Sequence, residues 1–166
     1  MRILVLILLF SIPAFAQESK GSLYSKGLQA CLERELAAYS AISLRDYQKV
    51  IVESDPDITK NLPTQLGEIS IQYLNNFELA KRYKALLKSE RERGIPFIKI
   101  FPLYDKDDKL FFAYNNYWFS YSEKGGFFSS KAISFHHSLE GGCRAEIIFQ
   151  PAEKKFVIGK VELWGI

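Results

Sequence analysis

This sequence has few histidines, few cysteines and little net charge, and these shortages argue against several classes of function. Only two of the 166 residues are histidines and only two are cysteines. A net charge of +3 is too small to indicate nucleic-acid binding by itself. No glycine-rich phosphate loop precedes a predicted helix, so we expect no nucleotide or other cofactor. The sequence also contains no G-x-S-x-G elbow, and we assign no catalytic residue.

Long apolar runs are confined to the start of the chain. Residues 3–10 form one unbroken apolar run, and Ala-Phe-Ala at 14–16 is the small-x-small pattern that signal peptidase recognises. An uncleaved anchor is the alternative, but a membrane-spanning helix needs about 20 apolar residues. We therefore predict a signal peptide at 1–16, a single α+β domain at 17–166, and a secreted or periplasmic protein with no integral membrane segment after cleavage.

The two cysteines, Cys31 and Cys143, are both in the predicted mature chain. An even number of cysteines in an oxidising compartment predicts one disulfide bond, with two separate buried thiols as the alternative. Such a bond closes a loop of more than about 100 residues, for which the chain-entropy model gives at most about 4.7 kcal/mol of stabilisation. Because neither cysteine belongs to a C-x-x-C unit, we expect no zinc site and assign no metal ligand.

Three helices are predicted in the first part of the chain. Apolar residues recur every three or four positions in three segments, at 22–40, 44–51 and 66–87. Ser43 and Asp46 have the spacing of a capping box at the start of the second segment. Gly94 is placed to end the third and longest helix, and Pro96 prevents its continuation.

After Pro96 the pattern changes to an alternation of apolar and polar residues, which is typical of strands. Five strands are predicted at 97–101, 110–122, 127–137, 143–150 and 156–164. The turns between them are predicted at 105–108, 125–126, 141–142 and 151–155. Asn115-Asn116 is either a turn or a point inside one long strand, and we favour the long strand. The predicted fold class is α+β, with three N-terminal helices packed on an antiparallel meander of about five strands.

Aromatic residues are concentrated in one part of the predicted meander. Half of all the aromatic residues lie between positions 97 and 128. Large aromatic rings with a polar tip are typical of interfaces, and we predict binding residues here: Tyr117, Trp118, Tyr121 and His137. The alternative is that helices cover one face of the sheet and the aromatic residues close the core.

The only histidines, His136 and His137, are neighbours in a predicted strand. Neighbouring side chains of a strand point to opposite faces, so these two cannot bind one metal ion together. We expect one partly buried histidine and one surface histidine.

Two charged segments resemble sites but have simpler explanations. Residues 105–108 begin like a calcium loop, but Lys109, Leu110 and Asn116 occupy positions that need an oxygen ligand, a glycine and a glutamate. We therefore predict a solvated hairpin turn. A basic stripe on the third predicted helix indicates either a solvated face or contact with an acidic partner; it consists of Lys81, Lys84, Lys88 and Arg91.

These patterns favour an exported, non-catalytic binding module that engages another protein, as inhibitors, immunity proteins and assembly factors do. A structural component of a cell-surface assembly would show the same features. The alternative is a small pocket enzyme or carrier of a small apolar ligand, built on a cone-shaped α+β sheet. In that alternative, Tyr117, Tyr121 and one histidine would line a closed cavity. Nucleic acid is not an expected partner.

Overall fold

The computed structural model describes residues 19–39, 48–124 and 132–165. The helices are α1 (Lys20–Tyr39), α2 (Asn76–Ala85) and α3 (Lys88–Arg91). The strands are β1 (Lys49–Glu53), β2 (Gln65–Leu66), β3 (Ile69–Leu74), β4 (Ile95–Ile100), β5 (Tyr104–Lys106), β6 (Lys109–Lys124), β7 (Ala132–Gln150) and β8 (Lys155–Trp164).

The predicted fold class is wrong, because one large mixed sheet forms most of the described chain. Of the described residues, 50% lie in strands and 26% in helices. All eight strands belong to one sheet in the order β2-β3-β1-β4-β6-β7-β8, with β5 paired to the start of β6. Strand β1 is parallel to both β3 and β4, and the remaining pairs are antiparallel. Among the residues described, one helix precedes the sheet, so there are not three helices on a meander.

The described end of the second predicted helix belongs to strand β1, which lies inside the sheet between β3 and β4. Val50, Ile51 and Val52 are all buried, so both faces of this short segment are covered. Consecutive β-branched residues are stiff and fit a pleated strand, and a strand buried on both faces has no polar side to alternate with. The predicted cap at Ser43 and Asp46 lies outside the described residues.

The third predicted helix is divided between a strand and two short helices. Ile69 and Ile71 point to the same face of β3, where both are buried. The helix begins only after Asn75, whose Oδ1 accepts hydrogen bonds from the N–H groups of Phe77 and Glu78, each at 3.0 Å. The Glu78 carboxylate accepts in return from the Asn75 N–H at 2.8 Å. This capping box fixes the start of α2.

Gly94 lies where the predicted helix end required a glycine. It follows α3 with a φ of +83°, and a Cβ there would lie 2.6 Å from the carbonyl oxygen of Phe119. Only glycine allows both this left-handed conformation and this close approach, so the chain turns here into β4.

Helices α1 and α2 lie on opposite faces of the sheet. On α1, Tyr24 packs edge-to-face on Phe112, with ring centroids 6.2 Å apart. On α2, Tyr83 packs on Phe119, also at 6.2 Å. Phe112 and Phe119 are an odd number of residues apart in the continuous strand β6, so their side chains point to opposite faces. We call these the α1 face and the α2 face.

The disulfide prediction is confirmed, because Cys31 of α1 is bonded to Cys143 of β7. Their Cα atoms are 5.8 Å apart and the sequence separation is 112 residues. Both cysteines are fully buried in the α1-face core, beside Leu28 and Leu32. The bond therefore joins the first helix to a strand near the other end of the chain.

The Gly141-Gly142 pair is not the predicted turn but part of the long strand β7. A Cβ on Gly141 would lie 2.4 Å from the Trp164 carbonyl oxygen, so a neighbouring strand fills the space that a side chain would need. The register with β6 shifts here, since Gly141 lies opposite Asn116 and Leu139 opposite Tyr117. Glu140 is the inserted residue of a β-bulge.

The predicted strands at 127–137 and 143–150 are one strand where the structure describes them, β7, and β5 was not predicted. Three local predictions for the strand half are confirmed. The turn between β5 and β6 consists of Asp107 and Asp108, both with positive φ, as a two-residue hairpin turn requires. Strand β6 continues through Asn115-Asn116 without a turn. A turn at 151–154 leads into β8. The predicted turn at 125–126 lies outside the described residues.

Candidate binding surface

The four predicted binding residues do not form one surface. Tyr117, Tyr121 and His137 lie on the α2 face, because they contact Phe97, Phe119 or Phe135 there. Trp118 is the neighbour of Tyr117 in β6, so it points to the opposite side. The structure therefore groups three of the four residues and separates the fourth.

The grouped side chains belong to an aromatic cluster in which Tyr117 and Tyr121 are half-buried. His137 is exposed, as His136 is, so the expected partly buried histidine is not found. The Tyr117 ring stacks on Phe97 with centroids 5.5 Å apart, and the His137 ring meets Phe97 edge-on at 5.0 Å. Tyr121 packs on Phe135 at 6.0 Å, and Lys84 Nζ lies 4.8 Å from its ring centroid. Much of the aromatic concentration thus closes a core under α2, which was the alternative explanation of the sequence.

The two histidines point in opposite directions. His137 packs on the α2-face aromatic cluster, whereas His136 Nε2 lies 3.3 Å from Ser122 Oγ on the other side. Burial lowers the pKa of His137, and nearby Lys99 and His136 act in the same direction. Glu53 opposes them, but its carboxylate is already paired with Lys99 at 2.9 Å. The lowered pKa favours the uncharged form of the His137 ring.

One edge of β7 has no neighbouring strand in the described part of the chain. β8 ends at Trp164, opposite Gly142, while β7 extends back to Ala132 and pairs with β6 alone over that stretch. We call residues 134–139 the β7 edge. Its sequence, Ser-Phe-His-His-Ser-Leu, contains no lysine, proline or carboxylate. Proteins usually place such residues on open edges to prevent strand pairing, so the edge has no such protection in its own sequence or from the described strands.

Exposed apolar side chains lie beside the β7 edge. Leu139 is 61% exposed and Phe77, near the start of α2, is 72% exposed. The Phe77 ring meets Phe135 of the β7 edge in a T-shaped contact at 5.7 Å. The edge thus combines strand backbone with a partly exposed apolar wall on its α2 face.

A buried polar pair on the α1 face was missed by the sequence analysis. The Glu35 side chain of α1 is only 2% exposed, and its Oε1 accepts a hydrogen bond from Asn116 Nδ2 of β6. Glu35 follows Leu28, Cys31 and Leu32 at helical spacing, so a carboxylate on the apolar stripe was the available signal. The bond ties the second half of α1 to the centre of the sheet.

The predicted acidic turn lies beside a set of mutually paired charges. Lys109 pairs with Glu146 at 2.8 Å, and Glu162 pairs with both Lys160 and Arg144. Hydrogen bonds from Lys160 and then Arg144 lower the pKa of Glu162 to about 2. Glu146 and Glu162 are thus each bound to a cation, and the residues of the turn itself are exposed to solvent.

The predicted basic stripe does not continue along one helix. Lys81 and Lys84 belong to α2, whereas Lys88 and Arg91 belong to α3. Arg91 Nε donates to the Leu86 carbonyl at 3.0 Å, so it caps the end of α2.

Comparison with protein-family models, curated proteins and solved structures finds no match for this chain. No helix in the described ranges is both long and apolar enough to cross a membrane. Within those same ranges, no three histidine, cysteine, aspartate or glutamate side chains are grouped closely enough to hold a metal ion.

Proposed function

We propose that this protein is an exported, non-catalytic binding module that takes an extended segment of another protein as an added strand along the β7 edge. The observation that carries the proposal is the unprotected edge at residues 134–139, flanked by exposed apolar side chains. Addition of a strand to an open sheet edge is a recurring mode of peptide recognition.

The backbone of the β7 edge supplies the affinity in this proposal. Six residues of strand span roughly 20 Å and present alternating N–H and C=O groups. A partner strand would satisfy these groups as β8 satisfies those of the second half of β7. The charge-free sequence of the edge adds no repulsion against an approaching chain.

The side chains of the β7 edge supply the selectivity. Phe135, His137 and Leu139 point to the α2 face beside Phe77. A partner strand with apolar side chains at alternate positions would pack against them. Ser134, His136 and Ser138 point to the other face and favour small or polar side chains there.

Two features support an exported protein. The first residues have the pattern of a cleavable signal peptide. The Cys31–Cys143 disulfide suits an oxidising compartment, since disulfides seldom persist in the cytosol. The proposed location is accordingly extracellular or periplasmic.

Site-specific photo-crosslinking in the producing cells tests the proposed surface. A photoreactive amino acid at position 138 should form an adduct with one other protein, which mass spectrometry identifies. In the purified pair, Leu139→Lys should weaken binding by roughly tenfold or more, because it places a charge on the contact surface. The matched control is Leu87→Lys, since Leu87 is 70% exposed but lies between α2 and α3.

The outcomes separate the proposal from its competitors. An adduct lost in Leu139→Lys and retained in Leu87→Lys supports it. An adduct with a second copy of this chain, an adduct equally sensitive to both substitutions, or no adduct at all contradicts it.

A further inference from the structure

A cleft of about 440 Å³ opens between the starts of β1 and β4, beside α2 and α3, and residues from both faces of the sheet line it. Its apolar lining includes Ile51, Pro96 and Trp118. Volumes of this size are typical of small-molecule sites, which combine apolar walls with a few polar groups. Trp118 is the predicted binding residue that the structure separates from the other three.

The charged side chains of the cleft are mostly cations. Lys49, Arg82 and Arg93 line it together with a single carboxylate, Glu90. The Glu90 carboxylate accepts a hydrogen bond from the Leu87 N–H at 2.8 Å, so it already serves the start of α3. The cleft therefore holds an excess of positive charge.

None of these three cations has a counter-ion in the described parts of the structure. Neither Lys49 nor Arg93 forms an ion pair there, and Arg82 Nη1 donates at 2.8 Å to the neutral Gln72 side chain. The contrast is with the cleft near the acidic turn, where Lys109 and Arg144 are each bound to a carboxylate. Charge left uncompensated in a concave site favours an anionic ligand.

We propose that this cleft binds a small organic anion that carries at least two carboxylate-like charges and a flat ring. The guanidinium groups of Arg82 and Arg93 fit carboxylate geometry, and Lys49 adds a third positive charge. Trp118 lines the cleft from the other face of the sheet, next to Pro96, and supplies the apolar ring surface for the flat part of the ligand. This site does not include the β7 edge and does not depend on the proposed strand binding.

Three probes separate the two parts of this recognition. Benzene-1,2,4-tricarboxylate combines carboxylate charges with an aromatic ring. Citrate carries carboxylate charges without a ring, and benzamide carries a ring without charge. Calorimetric titration of the purified full chain at low ionic strength should rank the affinities in that order. Raising the salt concentration should weaken the binding of benzene-1,2,4-tricarboxylate, because the cations of the cleft are partly exposed to solvent.

Matched variants assign the binding to the cleft. Arg93→Gln and Lys49→Gln should each reduce the affinity for the aromatic tricarboxylate by roughly threefold to tenfold. The control is Lys60→Gln, since Lys60 is an exposed lysine beyond the other end of β1 and outside the cleft. Trp118→Leu should reduce the affinity for the aromatic tricarboxylate towards that for citrate.

The two tryptophans provide an independent measurement in one spectrum. In ¹H–¹⁵N NMR of the wild-type protein, the probe should shift the indole N–H signal of Trp118 and leave that of Trp164 unchanged, with Trp164→Phe assigning the two signals. Absence of binding at millimolar probe, equal losses in Arg93→Gln and Lys60→Gln, or an unshifted Trp118 signal would each overturn the proposal.

Discussion

The α1 face and the α2 face of the sheet are built differently. The α1-face core is continuous from β1 to β8, and the disulfide fixes its helix covalently. The α2-face core is smaller and gathers around Leu79, Phe97 and Phe119. Beyond it the same face becomes polar, with ion pairs such as Lys99–Glu53. The α1-face core thus spans the sheet as far as β8, while the α2-face core extends from β3 only as far as the β7 edge.

Strand β6 offers the sharpest test of this difference, because Phe112 and Phe119 are both fully buried on opposite faces. Phe112→Ala and Phe119→Ala each remove a buried ring and should each cost about 3–5 kcal/mol of unfolding free energy. Denaturant unfolding of both variants measures this. Phe112→Ala should lower the stability of the whole protein.

Phe119→Ala should also produce a local effect. Amide exchange within α2 should become faster than exchange in α1, since α2 loses its main contact with the sheet. Equal protection of α1 and α2 in this variant would show that the two faces form one cooperative unit.

Reduction of the Cys31–Cys143 bond should have the next largest effect. Loss of a native disulfide typically lowers the free energy of unfolding by about 2–4 kcal/mol, because the unfolded chain gains conformational entropy. The melting temperature should therefore fall by several degrees or more. Thermal melts with and without reductant measure this. Thiol counting on the denatured, unreduced protein should find no free thiol.

Binding at the β7 edge should survive reduction at low temperature, because the disulfide lies on the opposite face. The Cys31→Ala/Cys143→Ala variant should match the reduced protein. Identical melts in both redox states would contradict a stabilising role for the bond.

The smallest expected effect is a pH dependence from His137. Burial lowers its pKa in the folded state below the usual value of about 6.5. Between that value and the lower folded pKa, the unfolded chain binds more protons, so stability falls as the pH falls. Melts at pH 7.5 and 5 should show a smaller difference in His137→Asn than in the wild type.

The control for this measurement is His136→Asn, on the opposite side of the same strand. It should leave the contribution of His137 intact. If His136→Asn removed the pH dependence and His137→Asn did not, the assignment to the α2 face would be wrong.

Local sequence signals predicted the strand half better than the helical half. The turn at Asp107-Asp108 and the continuous strand through Asn115-Asn116 depend on nearest neighbours and were found as expected. In β3, Ile69 and Tyr73 have helical spacing, yet Ile71 between them has strand spacing. Short apolar segments of this kind fit both periods, and only parallel pairing of β1 with β3 and β4 decides between them.

The candidate sites depended even more on the fold. The cysteine pair was predictable from number and compartment, and the aromatic segment indicated where half-buried rings would cluster. The cationic cleft was not predictable, because Lys49, Arg82 and Arg93 come from β1, from α2 and from the segment between α3 and β4. The β7 edge was not predictable either, since it exists only because β8 ends before β7 does.

The inserted residue Glu140 changes the face of the sheet to which the odd-numbered residues of β7 point. Before it, Phe135 and His137 face the α2 core, and after it, Cys143 and Ala145 face the α1 core, although all four positions are odd-numbered. Deletion of Glu140 would shorten a strand and not a loop. It would reverse the alternation on one side of the bulge, so that either the rings would leave α2 or the cysteine would turn away from its partner.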